Sequence, residues 1–139
     1  MKPAIKHIYA VSQQTAQAFC QSAYANISTI ISITDSTADL LDTSGLNEKN
    51  IIRLQFKDYD TGKSAMSKAQ AIQLAERLPQ VCDILIVHCT YGESRSQGVA
   101  AAIDKYCNGN DERYFKNHSP SLHCYRLVLS ALVQIYGKI

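Results

Sequence analysis

The chain has 139 residues, of which 46% are hydrophobic, so it can bury one core and is close to the commonest domain size. Its 14 lysines and arginines exceed its 12 aspartates and glutamates by two, which argues against nucleic acid or an anionic membrane as the main partner. There is no apolar run of about 18 residues, no hydrophobic signal-peptide core and no paired spacing among the five cysteines. We therefore expect a single cytoplasmic domain spanning residues 1–139, without a membrane segment or a disulfide framework.

Apolar runs and helical periodicity alternate along the chain. The predicted strands, rich in β-branched side chains, are residues 5–11, 27–33, 51–56 and 84–87. The predicted helices are residues 15–24, 68–78 and 97–106, followed by a last helix that Ser119 caps, Pro120 begins and Gly137 ends. Strands separated by helices predict an α/β fold with a central, largely parallel sheet that helices cover on both faces.

A long polar connection, residues 34–50, follows the second predicted strand. It contains Asp35, Asp39 and Asp42, which we interpret mainly as turn and capping residues. A short helix over residues 38–41 fits inside it. On this interpretation the connection has a structural role and contributes no catalytic residue.

Residues 88–96, His-Cys-Thr-Tyr-Gly-Glu-Ser-Arg-Ser, lie between a predicted strand and a predicted helix, and we call them the Cys–Arg loop. Unpaired N–H groups and the helix dipole favour an anion at such a junction. Both the helix terminus and a nearby cation favour the thiolate of Cys89, which is the nucleophilic form. The planar guanidinium of Arg95 can hold two oxygens of one phosphate. The loop therefore predicts phosphate chemistry at a cysteine.

The other residues of the Cys–Arg loop suit the same chemistry. Gly92 can adopt positive φ, which lets the N–H groups of residues 90–95 turn inward around an anion. Ser94 and Ser96 supply hydroxyl donors that can order the loop or stabilise the thiolate. Neighbouring side chains of a strand point in opposite directions, so we expect His88 to hydrogen-bond and orient the loop without touching substrate.

The remaining four cysteines are interpreted as small core residues, namely Cys20, Cys82, Cys107 and Cys124. Cys82 could also serve as a resolving partner if Cys89 is oxidised. Near the last helix, Asn117, His118 and Arg126 are interpreted as structural residues.

The pattern His88-Cys89-x-x-Gly92-x-Ser94-Arg95-Ser96 resembles the signature loop of the cysteine-dependent protein tyrosine phosphatases. Its Ser-Arg-Ser ending is closest to the dual-specificity branch, and the chain resembles short bacterial and phage phosphatases of that kind. The resemblance implies a phosphocysteine mechanism. In it Cys89 attacks phosphorus, Arg95 binds the phosphoryl group and Ser96 assists breakdown of the intermediate. We expect no metal or cofactor, because Arg95, the inward N–H groups and the helix dipole supply the stabilising charge. The implied substrate-binding residues are Thr90, Tyr91, Gly92, Glu93, Ser94 and Arg95.

The resemblance also implies a general acid, an aspartate some thirty residues before the cysteine. Residues 57–66 form a polar loop after a predicted strand, and we call them the Asp58 loop. Asp58 stands 31 positions before Cys89 and Asp60 stands 29 before it. We prefer Asp58, because the short relatives carry Phe-Asp-Asp-like text here and its second acidic position matches Asp58. Asp60 is kept as a supporting residue.

Three positions of the loop depart from the resembled families. Thr90 and Tyr91 stand where short relatives often carry Glu-Ala or similar residues, which leaves the rim of the pocket unassigned. Glu93 stands where the lipid-phosphatase branch carries lysines, and its charge disfavours a polyanionic ligand. We expect a phosphoprotein substrate, phosphotyrosine first and phosphoserine or phosphothreonine second, or a small phosphomonoester. Two alternatives stay open, a catalytically silent phosphate-binding module and a rhodanese-type sulfurtransferase.

The triplet Gly62-Lys63-Ser64 resembles the end of a nucleotide-binding P-loop. That motif requires a glycine five positions earlier, where this chain has Lys57. We therefore interpret the triplet as part of a flexible basic loop.

Overall fold

The computed structural model describes residues 1–36 and 40–138, and four parallel strands form the centre of this described part. They are β1 (Ala4–Ser12), β2 (Ser28–Thr34), β3 (Ile51–Gln55) and β4 (Val81–Cys89). Their order across the sheet is β1-β4-β2-β3, so β4 is hydrogen-bonded on both sides. The helices are α1 (Gln13–Cys20), α2 (Lys68–Arg77), α3 (Arg95–Asn108), α4 (Glu112–Asn117) and α5 (Leu122–Tyr136).

Helices cover both faces of the sheet. Along β2, Ile31 packs into the larger core beneath α2, α3 and α5, whereas Ile30 packs into a smaller core beneath α1. This alternation buries both faces of the strand, and all seven residues of β2 are buried. The predicted α/β fold with a parallel sheet between two helical layers is confirmed.

The start of α3 packs directly against the start of α5. A Cβ atom on Gly98 would lie 2.4 Å from the carbonyl oxygen of Ser121, closer than any side chain tolerates. The N–H of Ser121 donates to the carbonyl oxygen of Ser94 at 2.9 Å. The Cys–Arg loop is therefore fixed to α5 as well as to the sheet.

Some predicted boundaries are wrong. The predicted helix over residues 15–24 ends at Cys20, and a 3-10 helix over Ala23–Ile27 follows it, capped by Ser22. The short helix α4 was not predicted. The last helix starts at Leu122, because the hydroxyl of Ser121, and not that of Ser119, accepts the N–H of Cys124.

Other boundaries follow the sequence closely. Ser67 and Gln70 form the predicted capping box at the start of α2, and Gly137 ends α5 as predicted. The predicted helix over residues 38–41 falls partly on residues 37–39, which lie outside the described residues. None of the described helices has both the length and the apolar character needed to cross a membrane.

Candidate active site

The Cys–Arg loop joins the central strand of the sheet to the most buried helix. Cys89 is the last residue of β4 and Arg95 is the first residue of α3. Cys89 is only 2% exposed. Ligands of open parallel sheets bind beyond the carboxyl ends of the strands, where this loop lies. The fold therefore places the cysteine on a rigid support at the expected ligand-binding edge.

The curl of the loop requires Gly92. Its φ is +76°, and a Cβ atom there would lie 2.6 Å from the backbone nitrogen of Ser12 and 2.6 Å from the carbonyl carbon of Val11. The side-chain amide of Gln97 donates to the carbonyl oxygen of Gly92 at 2.8 Å and to that of Ala10 at 3.3 Å. The loop is thus pressed against the end of β1 and held there.

Two serine hydroxyls lie at functional points of the loop. The Oγ of Ser96 is 3.2 Å from the Sγ of Cys89, so the hydroxyl can donate a hydrogen bond to a thiolate. Ser94 is the N-cap residue of α3 but makes no side-chain cap hydrogen bond. Its hydroxyl instead donates to Oδ1 of Asp58 at 2.9 Å. The first N–H groups of α3 are therefore not occupied by their cap residue.

Arg95 is held by three acceptors from three parts of the chain. Its Nη1 donates to Oδ1 of Asp35 at 2.5 Å and to the carbonyl oxygen of Phe56 at 2.6 Å, and its Nη2 donates to Oγ1 of Thr90 at 3.1 Å. The residue is 5% exposed. Its charge is balanced by Asp35, since a buried cation without a partner is strongly unfavourable.

Asp35 is a site residue that the sequence interpretation missed. It was assigned to a turn, but it follows β2 directly, and β2 is the neighbour of β4 in the sheet. The carboxyl ends of neighbouring parallel strands meet at one edge, so its position beyond a strand end was a usable signal. Asp42 does serve as a turn residue, because its Oδ1 accepts the N–H and the hydroxyl of Ser44.

Of the two candidate acids, Asp58 contacts the Cys–Arg loop through Ser94. Asp60 is exposed and has no hydrogen bond or ion pair with the described residues. The backbone N–H of Lys57 donates to the carbonyl oxygen of Ser64 at 2.6 Å and closes the Asp58 loop. The geometry thus places one aspartate, carried on an exposed loop, against the cysteine-bearing loop.

His88 lies behind the loop, on the α1 face of the sheet, and is fully buried. Its Nδ1 is 3.3 Å from the carbonyl oxygen of Cys89 and its Nε2 is 2.6 Å from the Oγ of Ser32. Because a carbonyl oxygen only accepts, Nδ1 donates to it and Nε2 accepts from the serine hydroxyl. Burial lowers the pKa of His88 to about 4. The imidazole is therefore neutral at pH 7 and links β4 to β2 beneath the cysteine.

The rim of the loop is exposed. Tyr91 is 84% exposed. The carboxylate of Glu93 lies 3.1 Å from Nδ1 of His118, which precedes α5. His118, interpreted from the sequence as structural, thus ties the rim to the connection between α4 and α5.

Cys82 lies at the opposite end of β4 from Cys89. The two cysteines are seven positions apart on one strand, which at about 3.3 Å per residue separates them by about 23 Å. Disulfide-bonded cysteines have Cα atoms within about 7 Å. The expectation that Cys82 could act as a resolving partner is therefore wrong. Burial raises the pKa of Cys107 and of Cys124 to about 11; Cys124 lies in the core, and Cys107 is partly buried against it.

No protein family model matches the sequence, and no curated protein matches it. The fold is similar to that of the Cydia pomonella PTP-2 phosphatase, at a TM-score of 0.62 and 18% identity over 94% of this chain and 90% of that one. It is also similar to OH1, a tyrosine phosphatase from the Orf virus, with a TM-score of 0.52, 16% identity and coverage of 97% and 88%. Tk-PTP in its active form is similar at a TM-score of 0.51 and 16% identity, and the match covers 97% of this chain and 93% of that one. The chain therefore has the fold of the cysteine-dependent tyrosine phosphatases.

Proposed function

We propose that this chain is a cysteine-dependent phosphatase that hydrolyses phosphomonoesters through a phosphocysteine intermediate. One observation carries the proposal. A single loop at the end of the central strand holds Cys89 beside the Ser96 hydroxyl, and the same loop binds the carboxylate of Asp58 through Ser94. A nucleophile, a stabiliser of its thiolate and an acid thus lie around one anion-binding helix terminus.

In the first step the phosphoryl group enters the Cys–Arg loop. The thiolate of Cys89 attacks phosphorus, a sulfur–phosphorus bond forms, and the bond from phosphorus to the leaving oxygen breaks. Asp58 donates its proton to that oxygen, so that an alcohol or phenol leaves. The free N–H groups at the start of α3 face the charge that develops on the phosphoryl oxygens.

Arg95 has the donors that this step needs. Three of its hydrogen bonds go to Asp35, Phe56 and Thr90. A guanidinium has five N–H donors, so two remain for phosphoryl oxygens. The three acceptors fix the plane of the guanidinium before substrate binds, which lowers the cost of reorganisation during reaction.

In the second step water hydrolyses the phosphocysteine. The carboxylate of Asp58, now without its proton, accepts a proton from the attacking water. A bond forms from the water oxygen to phosphorus, the sulfur–phosphorus bond breaks with its electron pair returning to the sulfur of Cys89, and inorganic phosphate leaves. The Ser96 hydroxyl, 3.2 Å away, donates to the thiolate and stabilises it as a leaving group.

Phosphotyrosine is the first substrate that we propose, followed by phosphoserine and phosphothreonine. The exposed ring of Tyr91 at the rim offers an apolar surface to an aromatic leaving group. Among the structural neighbours, PTP-2 is described as a phosphatase, and OH1 is described as a tyrosine phosphatase with triple substrate specificity. These descriptions support a phosphotyrosine-first order and leave room for wider specificity.

The test is hydrolysis of an aryl phosphate by the purified chain in the presence of a metal chelator. We expect turnover, and we expect Cys89→Ser to lower it by at least about ten-thousandfold, because the hydroxyl is a far weaker nucleophile. Acid-quenched wild-type enzyme should carry phosphate on Cys89 by mass spectrometry. Turnover that the chelator abolishes, or that survives Cys89→Ser, would contradict the proposal.

Two controls separate the remaining classes. A silent binding module would bind a phosphotyrosyl peptide and release no phosphate. A sulfurtransferase would form a persulfide on Cys89 from thiosulfate, and it would do so equally well after Asp58→Asn, since that reaction needs no general acid.

A further inference from the structure

A cavity of about 380 Å³ lies beside the Cys–Arg loop, between the Asp58 loop and the start of α2. Its lining includes Asp35 and Phe56, which are two of the three residues that hold the guanidinium of Arg95. The proposed phosphoryl site and this cavity therefore share a wall. A group bound in the cavity would belong to the same substrate as the phosphoryl group.

Two lysines of the Asp58 loop line the cavity, Lys57 and Lys63. Both are exposed, and neither forms a salt bridge with the described residues. The loop closure from the N–H of Lys57 to the carbonyl oxygen of Ser64 brings them to the same end of the loop. Lys63 and Ser64 belong to the triplet Gly62-Lys63-Ser64, which the sequence indicates is not a nucleotide-binding P-loop. In the fold, both side chains line this cavity.

The charge of the cavity is positive. Among the described residues of its lining, Asp35 is the one carboxylate, and its charge is committed to Arg95 at 2.5 Å. Ser64 and Ser67 add hydroxyls, and Ser67 uses its oxygen to accept the N–H of Gln70, which leaves its hydroxyl proton available for donation. Unpaired ammonium groups and free hydroxyl donors together suit an anion.

We propose that this cavity binds a second anionic group of the phosphorylated substrate, so that phosphopeptides with an acidic side chain next to the phosphorylated residue are preferred. The inference rests on the proposed phosphatase function and names its substrate class. The second anion is either a carboxylate or a second phosphate, because both present oxygens that lysines and hydroxyls bind in the same way. Glu93 and Tyr91 form the other side of the site and carry no positive charge. Acidic side chains of the peptide are therefore selected by the Asp58 loop.

The experiment compares kcat/KM for three phosphotyrosyl peptides of equal length. They carry alanine, glutamate or phosphoserine beside the phosphotyrosine. We expect the wild type to prefer both acidic peptides over the alanine peptide by about tenfold at low ionic strength. The preference should shrink as salt is added, because exposed charges are screened. A larger gain for phosphoserine than for glutamate identifies a phosphate as the better occupant.

Variants connect the preference to the cavity. The double variant Lys57→Gln with Lys63→Gln should reduce the ratio of acidic to alanine peptide to about one. The matched control is Lys6→Gln, which removes one exposed lysine from β1, at the opposite end of the sheet, and should keep the ratio. The ratio is read within each variant, so a change in absolute rate does not affect it.

The outcomes are distinct. Active wild type with equal kcat/KM for all three peptides overturns the second site and leaves the phosphatase intact. A preference that survives the double variant overturns the assignment to this cavity. Absence of hydrolysis of any peptide or aryl phosphate overturns the phosphatase and the second site together.

Discussion

The Cys–Arg loop and the Asp58 loop face each other across the site, but they are built in opposite ways. The first is buried, with Cys89 2% and Arg95 5% exposed, and it is joined to β1, β2 and α5. The second is exposed from Lys57 to Ser64, and among the described residues the side-chain hydrogen bond that links it to the first runs from Ser94 to Asp58. Charge stabilisation requires a preorganised partner, whereas an acid must approach and leave a changing substrate oxygen. The buried loop therefore suits the charge-stabilising role that we propose for Arg95, and the exposed loop suits the acid role that we propose for Asp58.

The largest expected effect comes from Arg95→Lys in the buried loop. An ammonium keeps the charge but loses the planar fork that holds three protein acceptors and, in the proposed mechanism, two phosphoryl oxygens. We expect kcat/KM for an aryl phosphate to fall about a thousandfold. The control Arg126→Lys, an exposed position on α5, should retain wild-type kinetics. A fall in kcat/KM of less than tenfold in Arg95→Lys would contradict binding of the phosphoryl group by the planar guanidinium.

The site was predictable from the sequence where its residues are contiguous. Cys89, Gly92, Arg95 and Ser96 lie within one short loop, so their chemistry and spacing can be interpreted together. Asp35 contacts Arg95 across 60 positions of sequence, and its neighbours are those of an ordinary turn. Its position beyond a strand end makes it a candidate, but the sheet order is needed to show that β2 brings it beside β4. Long-range partners of this kind need the three-dimensional fold.

The fold was predictable because its strands and helices are contiguous stretches of sequence. The errors in the prediction concern single helix boundaries and one short helix. The alternation of strands and helices determines the parallel sheet. The choice between Ser119 and Ser121 as the cap of α5 depends on which hydroxyl reaches an N–H three residues on, and both serines fit the sequence pattern. Six-residue α4 has too few positions to show a helical period, so the pattern could not reveal it.

The next effect in size belongs to the exposed loop. Asp58→Asn should lower kcat about a hundredfold for substrates with poor leaving groups and much less for good ones, because only a poor leaving group needs the proton. Its unfolding midpoint in urea should stay close to wild type, since Asp58 is exposed. A series of aryl phosphates with different phenol pKa values measures this dependence.

Asp60→Asn is the matched control for Asp58→Asn, two positions along the same loop. We expect its kinetics to be those of the wild type, because Asp60 is exposed and forms no hydrogen bond or ion pair with the described residues. The reverse result, a hundredfold loss in Asp60→Asn and none in Asp58→Asn, would reassign the acid.

A pair of glycine variants compares the rigidity of the two loops directly. Gly92 and Gly62 both have positive φ, at +76° and +93°. A Cβ atom on Gly62 meets nothing within 4 Å, whereas one on Gly92 meets backbone atoms of β1 at 2.6 Å. Gly92→Ala should therefore lower the free energy of unfolding by about 2 kcal/mol more than Gly62→Ala, and it should also lower activity. Equal losses in urea denaturation would contradict the contrast between the loops.

The smallest effect concerns the histidine that supports the buried loop from behind. The pKa of His88 is about 4 in the folded chain and near 6.5 when unfolded, so the unfolded chain binds the extra proton between these pH values. The stability contribution of the neutral imidazole is complete above about pH 6.5 and is lost as the pH falls towards 4. We expect about 1 kcal/mol less stability at pH 5 than at pH 6 from this group. His88→Gln should be less stable at neutral pH, because its bonds to Ser32 and Cys89 are altered, and it should lack this part of the pH slope. An NMR titration of the wild-type imidazole measures the lowered pKa of His88 without a variant. Protonation of this ring near pH 6.5 would contradict its burial beneath Cys89.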